Sequence, residues 1–253
     1  KHITSLGIAP LVTLYHWTVP LWFRDKGGWL NDGAVRAFTR FATKMAECLG
    51  GYVTHWITLN EPEIYAANSY LTGVWPPQQR NLIHFLRVFH RLIYAHRAAY
   101  HAIKRLQPTA LIGIAKNNIY FEAAGHNPVN HILKALCDYG WNRYFLNRIK
   151  HHQDFIGLNY YFHNRMDWGR VKNKNERTSD LGWELYPQGI YDVLTELKAY
   201  HLPIYITENG LADAADLERG WFITETLRQV HRAIEQGVDV RGYLHWSLLD
   251  NFE

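Results

Sequence analysis

The sequence predicts an α/β fold of parallel βα units, arranged as part of an eight-stranded (β/α)8 barrel. Short β-rich runs alternate with longer helical patterns along all 253 residues, the layout of parallel βα units and not of a sandwich or a bundle. Polar and aromatic residues gather where the β-rich runs end, at His16-Trp17, Asn60-Glu61, Asn117-Asn118, Asn159-Tyr160-Tyr161, Glu208-Asn209 and Trp246. A barrel collects its chemistry at the carboxyl ends of several strands in this way. An open nucleotide-binding sheet would instead carry a Gly-rich turn after its first strand, and the run that starts at Leu11 leads into Thr18-Val19-Pro20.

The predicted strands are residues 11–16, 52–59, 110–115, 154–160, 204–207 and 241–246. Between the first two, Val35, Phe38, Phe41, Met45 and Cys48 recur at helical spacing after a polar start at Asn31-Asp32, and Gly50-Gly51 marks the stop. Over residues 82–106 the apolar positions Phe85, Leu86, Phe89, Leu92, Ile93 and Ile103 keep helical spacing until Pro108 ends them. Further helices are expected over 189–200 and 220–236, each leading into a strand. Residues 164–182, rich in charge and poor in aliphatic side chains, read as an excursion from the barrel rim and not as a domain boundary.

Bulk properties exclude several classes. With 47% apolar residues the chain can bury a substantial core. Its basic residues exceed the acidic ones by four and are scattered along the chain, which argues against a nucleic-acid partner. No apolar stretch approaches the ~20 residues that span a bilayer, and the first eight residues lack the layout of a signal peptide, so a cytoplasmic protein without membrane contact is expected. Cys48 and Cys137 fall in helical patterns and read as small buried hydrophobes, not as a disulfide. Fifteen histidines raise a metal-dependent hydrolase as a reading, but His84, His90, His96 and His101 lack the spacing and the neighbouring Glu of a zincin helix. No metal is expected.

Two strand exits carry a carboxylate. Thr58-Leu59-Asn60-Glu61-Pro62 closes one strand, and Ile206-Thr207-Glu208-Asn209-Gly210 closes another three strands later, which in an eight-stranded barrel puts the two on opposite sides of the mouth. Glycoside hydrolysis with retention needs such a pair: one carboxyl group protonates the leaving oxygen and the other attacks the anomeric carbon at a separation of about 5–5.5 Å. Their surroundings must differ, because one group needs a raised pKa and the other a low one.

These motifs resemble family 1 of the glycoside hydrolases, the β-glucosidase type. Thr-Leu-Asn-Glu-Pro and Ile-Thr-Glu-Asn-Gly are similar to that family's acid/base and nucleophile signatures. The likeness extends to Val12-Thr13-Leu14-Tyr15-His16-Trp17, to Lys26-Gly27-Gly28-Trp29, to Gly182-Trp183-Glu184-Leu185-Tyr186-Pro187 and to residues 243–253. The resemblance implies a TIM barrel, no cofactor and a small-molecule glycoside as partner. It also implies retaining hydrolysis, through a covalent glycosyl-enzyme, of terminal non-reducing β-D-glucosyl or related bonds, with Glu208 as nucleophile and Glu61 as acid/base. It further implies that His16, Asn60 and Glu253 hydrogen-bond sugar hydroxyls, that Asn60 takes the 2-hydroxyl, that Trp246 stacks on the pyranose, that Tyr161 holds the nucleophile carboxylate and that Trp17 walls the pocket. Asn118 and Asn159 are weaker candidates. A carboxylate at Glu253 near the 4- and 6-hydroxyls would repel a phosphorylated sugar, so non-phosphorylated substrates are favoured.

Against the family's pattern, the six strands look like its third to eighth. Residues 1–253 are thus expected to be a single catalytic barrel domain, incomplete at both ends, with a shorter interval from Glu61 to Glu208 than the family shows. The competing reading is a non-catalytic carbohydrate-binding relative or an inactive fragment of such a barrel.

Overall fold

The computed structural model describes residues 2–249. The chain folds into two compact units. One takes in the chain up to Lys116 and a later return, Arg148–Ile156; the other takes in Asn117–Asn147 and the chain from Gly157 on.

In the first unit the order is α1 (His2–Ser5), β1 (Leu11–Thr13), α2 (Leu21–Asp25), α3 (Ala34–Leu49), β2 (His55–Asn60), α4 (Pro62–Ala66), α5 (Leu82–Leu106) and β3 (Leu111–Asn117, all but its last residue). Strands β1 and β2 pair in parallel, Leu11 opposite His55, and β2 pairs in parallel with β3, His55 opposite Leu111. Helix α5 starts where Asn81 caps it, its side chain accepting from the amides of Ile83 and His84 at 2.9 and 3.1 Å. It packs on α3.

The buried stripe of α3 is Ala34, Phe38, Ala42 and Ala46, whereas Phe41 and Cys48 lie exposed. The expected stripe is therefore rotated, and the reading of Cys48 as buried is corrected. Three of the four buried residues of α3 are alanines, and small side chains let a helix approach its neighbour closely. Leu86, expected on the buried face of α5, is exposed.

The return segment completes this unit. The Asp154 amide donates to the Ile112 carbonyl at 2.7 Å, and the Ile112 amide donates to the Asp154 carboxylate at 2.9 Å. Phe155 lies so close to Gly113 that a Cβ there would stand 2.6 Å from its ring, so only glycine fits. His96, fully buried on α5, links strand and return: Nδ1 meets the Thr58 hydroxyl at 2.6 Å and Nε2 the His152 carbonyl at 2.7 Å. A carbonyl only accepts, so Nε2 carries the hydrogen and Nδ1 accepts from Thr58; the ring is neutral and satisfied.

In the second unit come β4 (Tyr120–Ala123), α6 (Pro128–Asp138), most of α7 (Tyr144–Ile149), the last three residues of β5 (Phe155–Asn159), β6 (His163–Asp167), β7 (Arg170–Val171), α8 (Gln188–Leu197), β8 (Ile204–Asn209), α9 (Arg219–Glu235) and β9 (Val240–His245). Strands β8 and β9 pair in parallel from Ile204 opposite Val240. The six strands foreseen form one sheet in the order β1-β2-β3-β5-β8-β9, and β5 belongs to both units.

A second, three-stranded sheet of β4, β6 and β7 was not foreseen. It turns the first part of the excursion over 164–182 into paired backbone: β4 runs parallel to β6 and β7 returns antiparallel. At its base the buried His163 meets Glu184 at 2.5 Å through Nδ1 and Glu122 at 3.1 Å through Nε2, and stacks on Tyr186. Cys137 is half-buried and packs with Trp141 and Phe162 on Ile119, Phe121 and Met166. Among the described residues no helix is long and apolar enough to cross a membrane.

His96 makes stability pH-dependent. Burial pulls its pKa from 6.5 down to about 4, so the unfolded chain takes up a proton that the folded ring refuses, and stability is lost as pH falls through that window. Urea unfolding at pH 7 and pH 4 is expected to show that wild type loses roughly 3 kcal/mol more over this interval than His96→Gln does. Equal losses in the two proteins would contradict the assignment.

Candidate active site

The first unit gathers four of the residues singled out from the sequence. Past β1 the chain stays hydrogen-bonded to β2: the Leu14 amide donates to Ile57 and the Asn60 amide to Tyr15, at 2.8 and 2.9 Å. This sets His16 beside Asn60, with His16 Nε2 3.2 Å from Asn60 Nδ2. Trp17 adopts a left-handed backbone, φ 71°, and its indole donates to the Asn60 carbonyl at 3.1 Å. Beneath them the buried Tyr15 donates to the Trp17 carbonyl and accepts from the Trp29 indole, both at 3.1 Å. The Lys-Gly-Gly-Trp motif bends through two left-handed residues, Gly27 and Gly28 at φ 94° and 56°, to bring Trp29 there.

Glu61 is 4% exposed. The register between β2 and β3 shifts after Ile57, so that Asn60 lies opposite Ala115. The Glu61 amide then donates to the Ala115 carbonyl at 2.8 Å, and Glu61 turns left-handed, φ 41° and ψ 60°, with Pro62 opening α4 behind it. A non-glycine residue in this region is costly and persists only where its surroundings over-determine it, which is commonest at functional sites.

The second unit holds Tyr161, Glu208 and Trp246. Glu208 is 8% exposed near the end of β8, and its carboxylate accepts from the Tyr161 hydroxyl at 3.0 Å. Its backbone carbonyl accepts from the Tyr160 amide at 3.0 Å. Asn209 secures the exit from both sides, donating to the Tyr160 carbonyl at 2.7 Å and accepting from the Tyr243 hydroxyl at 2.9 Å; burial pushes the pKa of Tyr243 to about 12, so it stays a donor. The Trp246 amide donates to the Asn209 carbonyl at 3.0 Å. A Cβ on Gly210 would stand 2.1 Å from the Trp246 carbonyl oxygen, so the glycine of Glu-Asn-Gly is what lets this strand exit close on its neighbour.

The weaker candidates are structural in part. Asn159 accepts from the Thr207 hydroxyl at 2.6 Å, whereas the buried Asn118 Oδ1 has no partner among the described residues. Glu253 lies outside the described residues. Two rings beside the candidates were not singled out: Trp75, centroid 4.5 Å from Trp17, and Trp183, 6.1 Å from Tyr161. Trp183 stood in a motif that carried the resemblance, but Trp75 follows an irregular stretch before Pro76-Pro77 and no periodicity marks it. Among the described residues no three His, Cys, Asp or Glu side chains converge as a metal would require.

A parallel sheet whose strands follow chain order, with a buried carboxylate at the exit of its second strand and another at the exit of its fifth, is the layout of part of a (β/α)8 barrel. The chain belongs to glycosyl hydrolase family 1, whose profile matches residues 1–145 and 130–253. It is 34% identical over 300 residues to a β-galactosidase of Saccharolobus solfataricus, a match that takes in all of this chain and 61% of the relative. It is 32% identical to β-glucosidase A of Thermotoga maritima, over 98% of this chain and 66% of that protein. Among solved structures, a β-glycosidase from Pyrococcus horikoshii superposes with a TM-score of 0.92 and 36% identity, covering 99% of this chain and 64% of that one. A β-glucosidase from Thermotoga maritima in complex with glucoimidazole does so with a TM-score of 0.93 and 30% identity, covering 99% and 67%. The fold is thus part of a (β/α)8 barrel, as expected, and the chain spans about three fifths of the Saccharolobus relative's length.

The left-handed turn at Glu61 can be measured on its own. Glu61→Gly and Glu61→Ala both remove the carboxylate, but only alanine keeps a Cβ in the costly conformation. The glycine variant is expected to be more stable by about 1 kcal/mol in urea unfolding. An alanine variant as stable as the glycine one would mean that the turn stores no strain.

Proposed function

We propose that the chain acts as a single catalytic domain of a retaining β-glycosidase, hydrolysing terminal non-reducing β-D-glucosyl or related bonds of non-phosphorylated glycosides. The observation that carries the proposal is the pair of buried glutamates at strand exits in unlike surroundings. Glu208 accepts from Tyr161, which suits a carboxylate that must be ionised to attack. Glu61 sits buried in a strained turn next to Asn60, which suits a group that holds a proton.

In the first step Glu208 attacks the anomeric carbon while the glycosidic C–O bond breaks, and the proton of Glu61 passes to the departing oxygen. In the second, Glu61 takes a proton from water, the water oxygen bonds to the anomeric carbon and Glu208 leaves as carboxylate. His16 and Asn60 hold ring hydroxyls, with Asn60 on the 2-hydroxyl. Trp246 covers the apolar face of the sugar, Trp17 walls the pocket, and Glu253 takes the 4- and 6-hydroxyls and disfavours a phosphate there. Membership in the family supports this reading, as do the names of relatives, which include β-glucosidases and β-galactosidases. The Thermotoga structures solved with glucoimidazole and with deoxynojirimycin support a small sugar as ligand.

With the protein at its natural length, Glu208→Ala is expected to lose nearly all turnover and to regain part of it with azide, giving the α-glycosyl azide because the small anion enters from the vacated face. A β-azide would reverse the two roles. Glu61→Gln should slow substrates with poor leaving groups far more than activated aryl glycosides, since only the former need the proton in the transition state. Equal slowing of both types would remove Glu61 from the acid/base role.

A further inference from the structure

Lys116 is the most deeply buried cation described in the chain. Its Nζ lies 2.7 Å from Glu63 Oε1, and the two side chains are 0% and 3% exposed. A buried pair of this kind repays its desolvation poorly, so stability is a weak reason for its presence, and fixing one conformation over others is the better-attested use. The conformation at stake here is that of Glu61.

The backbone on either side of Glu61 is tied to two consecutive residues of β3. Ala115 accepts from the Glu61 amide at 2.8 Å, and Lys116, the next residue, holds Glu63, two residues beyond Glu61. Successive side chains of a strand point to opposite faces, so the two ties grip the turn from the edge of the strand and from one of its faces. Between them stands Pro62, whose ring fixes its own φ. Glu61 stands between the ties at φ 41° and ψ 60°.

We propose that the Lys116–Glu63 ion pair is a positioning device that holds Glu61 in its left-handed turn and so aims its carboxyl group at the leaving oxygen; the proposal rests on the acid/base reading of Glu61. Neither residue touches substrate in this account. Both act through the backbone at Glu61, and without the pair the turn relaxes toward an ordinary conformation that carries the carboxyl away from the leaving group.

The experiment compares wild type, Lys116→Met, Lys116→Met/Glu63→Met and Glu61→Gln at natural length, each with a 2,4-dinitrophenyl glycoside and with an alkyl glycoside. Lys116→Met is expected to lose about tenfold or more in kcat/KM on the alkyl glycoside while changing little on the dinitrophenyl one, which needs no proton. The double variant removes both buried charges together; its Tm should recover while the selective loss on the alkyl glycoside persists. A loss shared equally by the two substrates would overturn the proposal, and so would a double variant that acts like wild type on both. Glu61→Gln separates two failures. If it shows the selective loss and Lys116→Met does not, the positioning role alone falls; if it shows none, the acid/base reading falls and takes the positioning role with it.

Discussion

Each candidate carboxylate is held through its backbone by a neighbouring strand. The Glu61 amide reaches the Ala115 carbonyl, and the Glu208 carbonyl receives the Tyr160 amide. Parallel ladders leave their last peptide groups unpaired unless the chain stays in register for a residue or two beyond the strand, and buried peptide groups must be paired. Continuing the ladder past the last regular residue meets this requirement, and it also determines where the next side chain can point. Glu61 stands at such a continuation, one residue past β2, and Glu208, still inside β8, receives one from Tyr160, the residue after β5. The sheet thus fixes the backbone from which each carboxyl group departs.

The sheet was legible because its signal is repeated. Six β-rich runs between helical patterns appeared as six strands, and the long helix α5 keeps the limits that its apolar spacing and Pro108 set. Less regular elements were hidden. The strands β4, β6 and β7 contain Arg165, Asp167 and Arg170 and have little alternation, because what holds them is a buried histidine between two glutamates and a stack of rings, interactions without a period. Helix α3 shows a second limit. Spacing located the helix, but Ala34, Phe38, Ala42 and Ala46 keep helical spacing as well as the larger apolar residues do, and it is this stripe that is buried while Phe41 and Cys48 lie outside.

For the site, the short motifs carried the information. Glu-Asn-Gly compresses three separate needs into consecutive residues: a carboxylate, an amide that ties two neighbouring strands and a position without a Cβ. Thr-Leu-Asn-Glu-Pro likewise joins the Thr58 hydroxyl that meets His96, the Asn60 amide beside His16 and the proline that starts a helix. Lys116 and Glu63 escaped notice because they lie 53 positions apart in the chain and neither is unusual alone. Pairs of that kind become visible only when strand order places them together.

The return of Arg148–Ile156 to the first unit bears on how the protein is made. Until that segment has been synthesised, the Ile112 carbonyl lacks the amide of Asp154, the space against Gly113 is unfilled, and the imidazole of His96 has no carbonyl for its hydrogen. A ribosome that adds about 5–20 residues per second needs roughly 2–7 s to travel from Lys116 to His152. During that interval the earlier half can have its helices and its first two strand pairings, but it cannot close its core. Folding that follows synthesis must therefore pause with apolar surface open, and a chaperone that shields nascent chains would find its opportunity in those seconds.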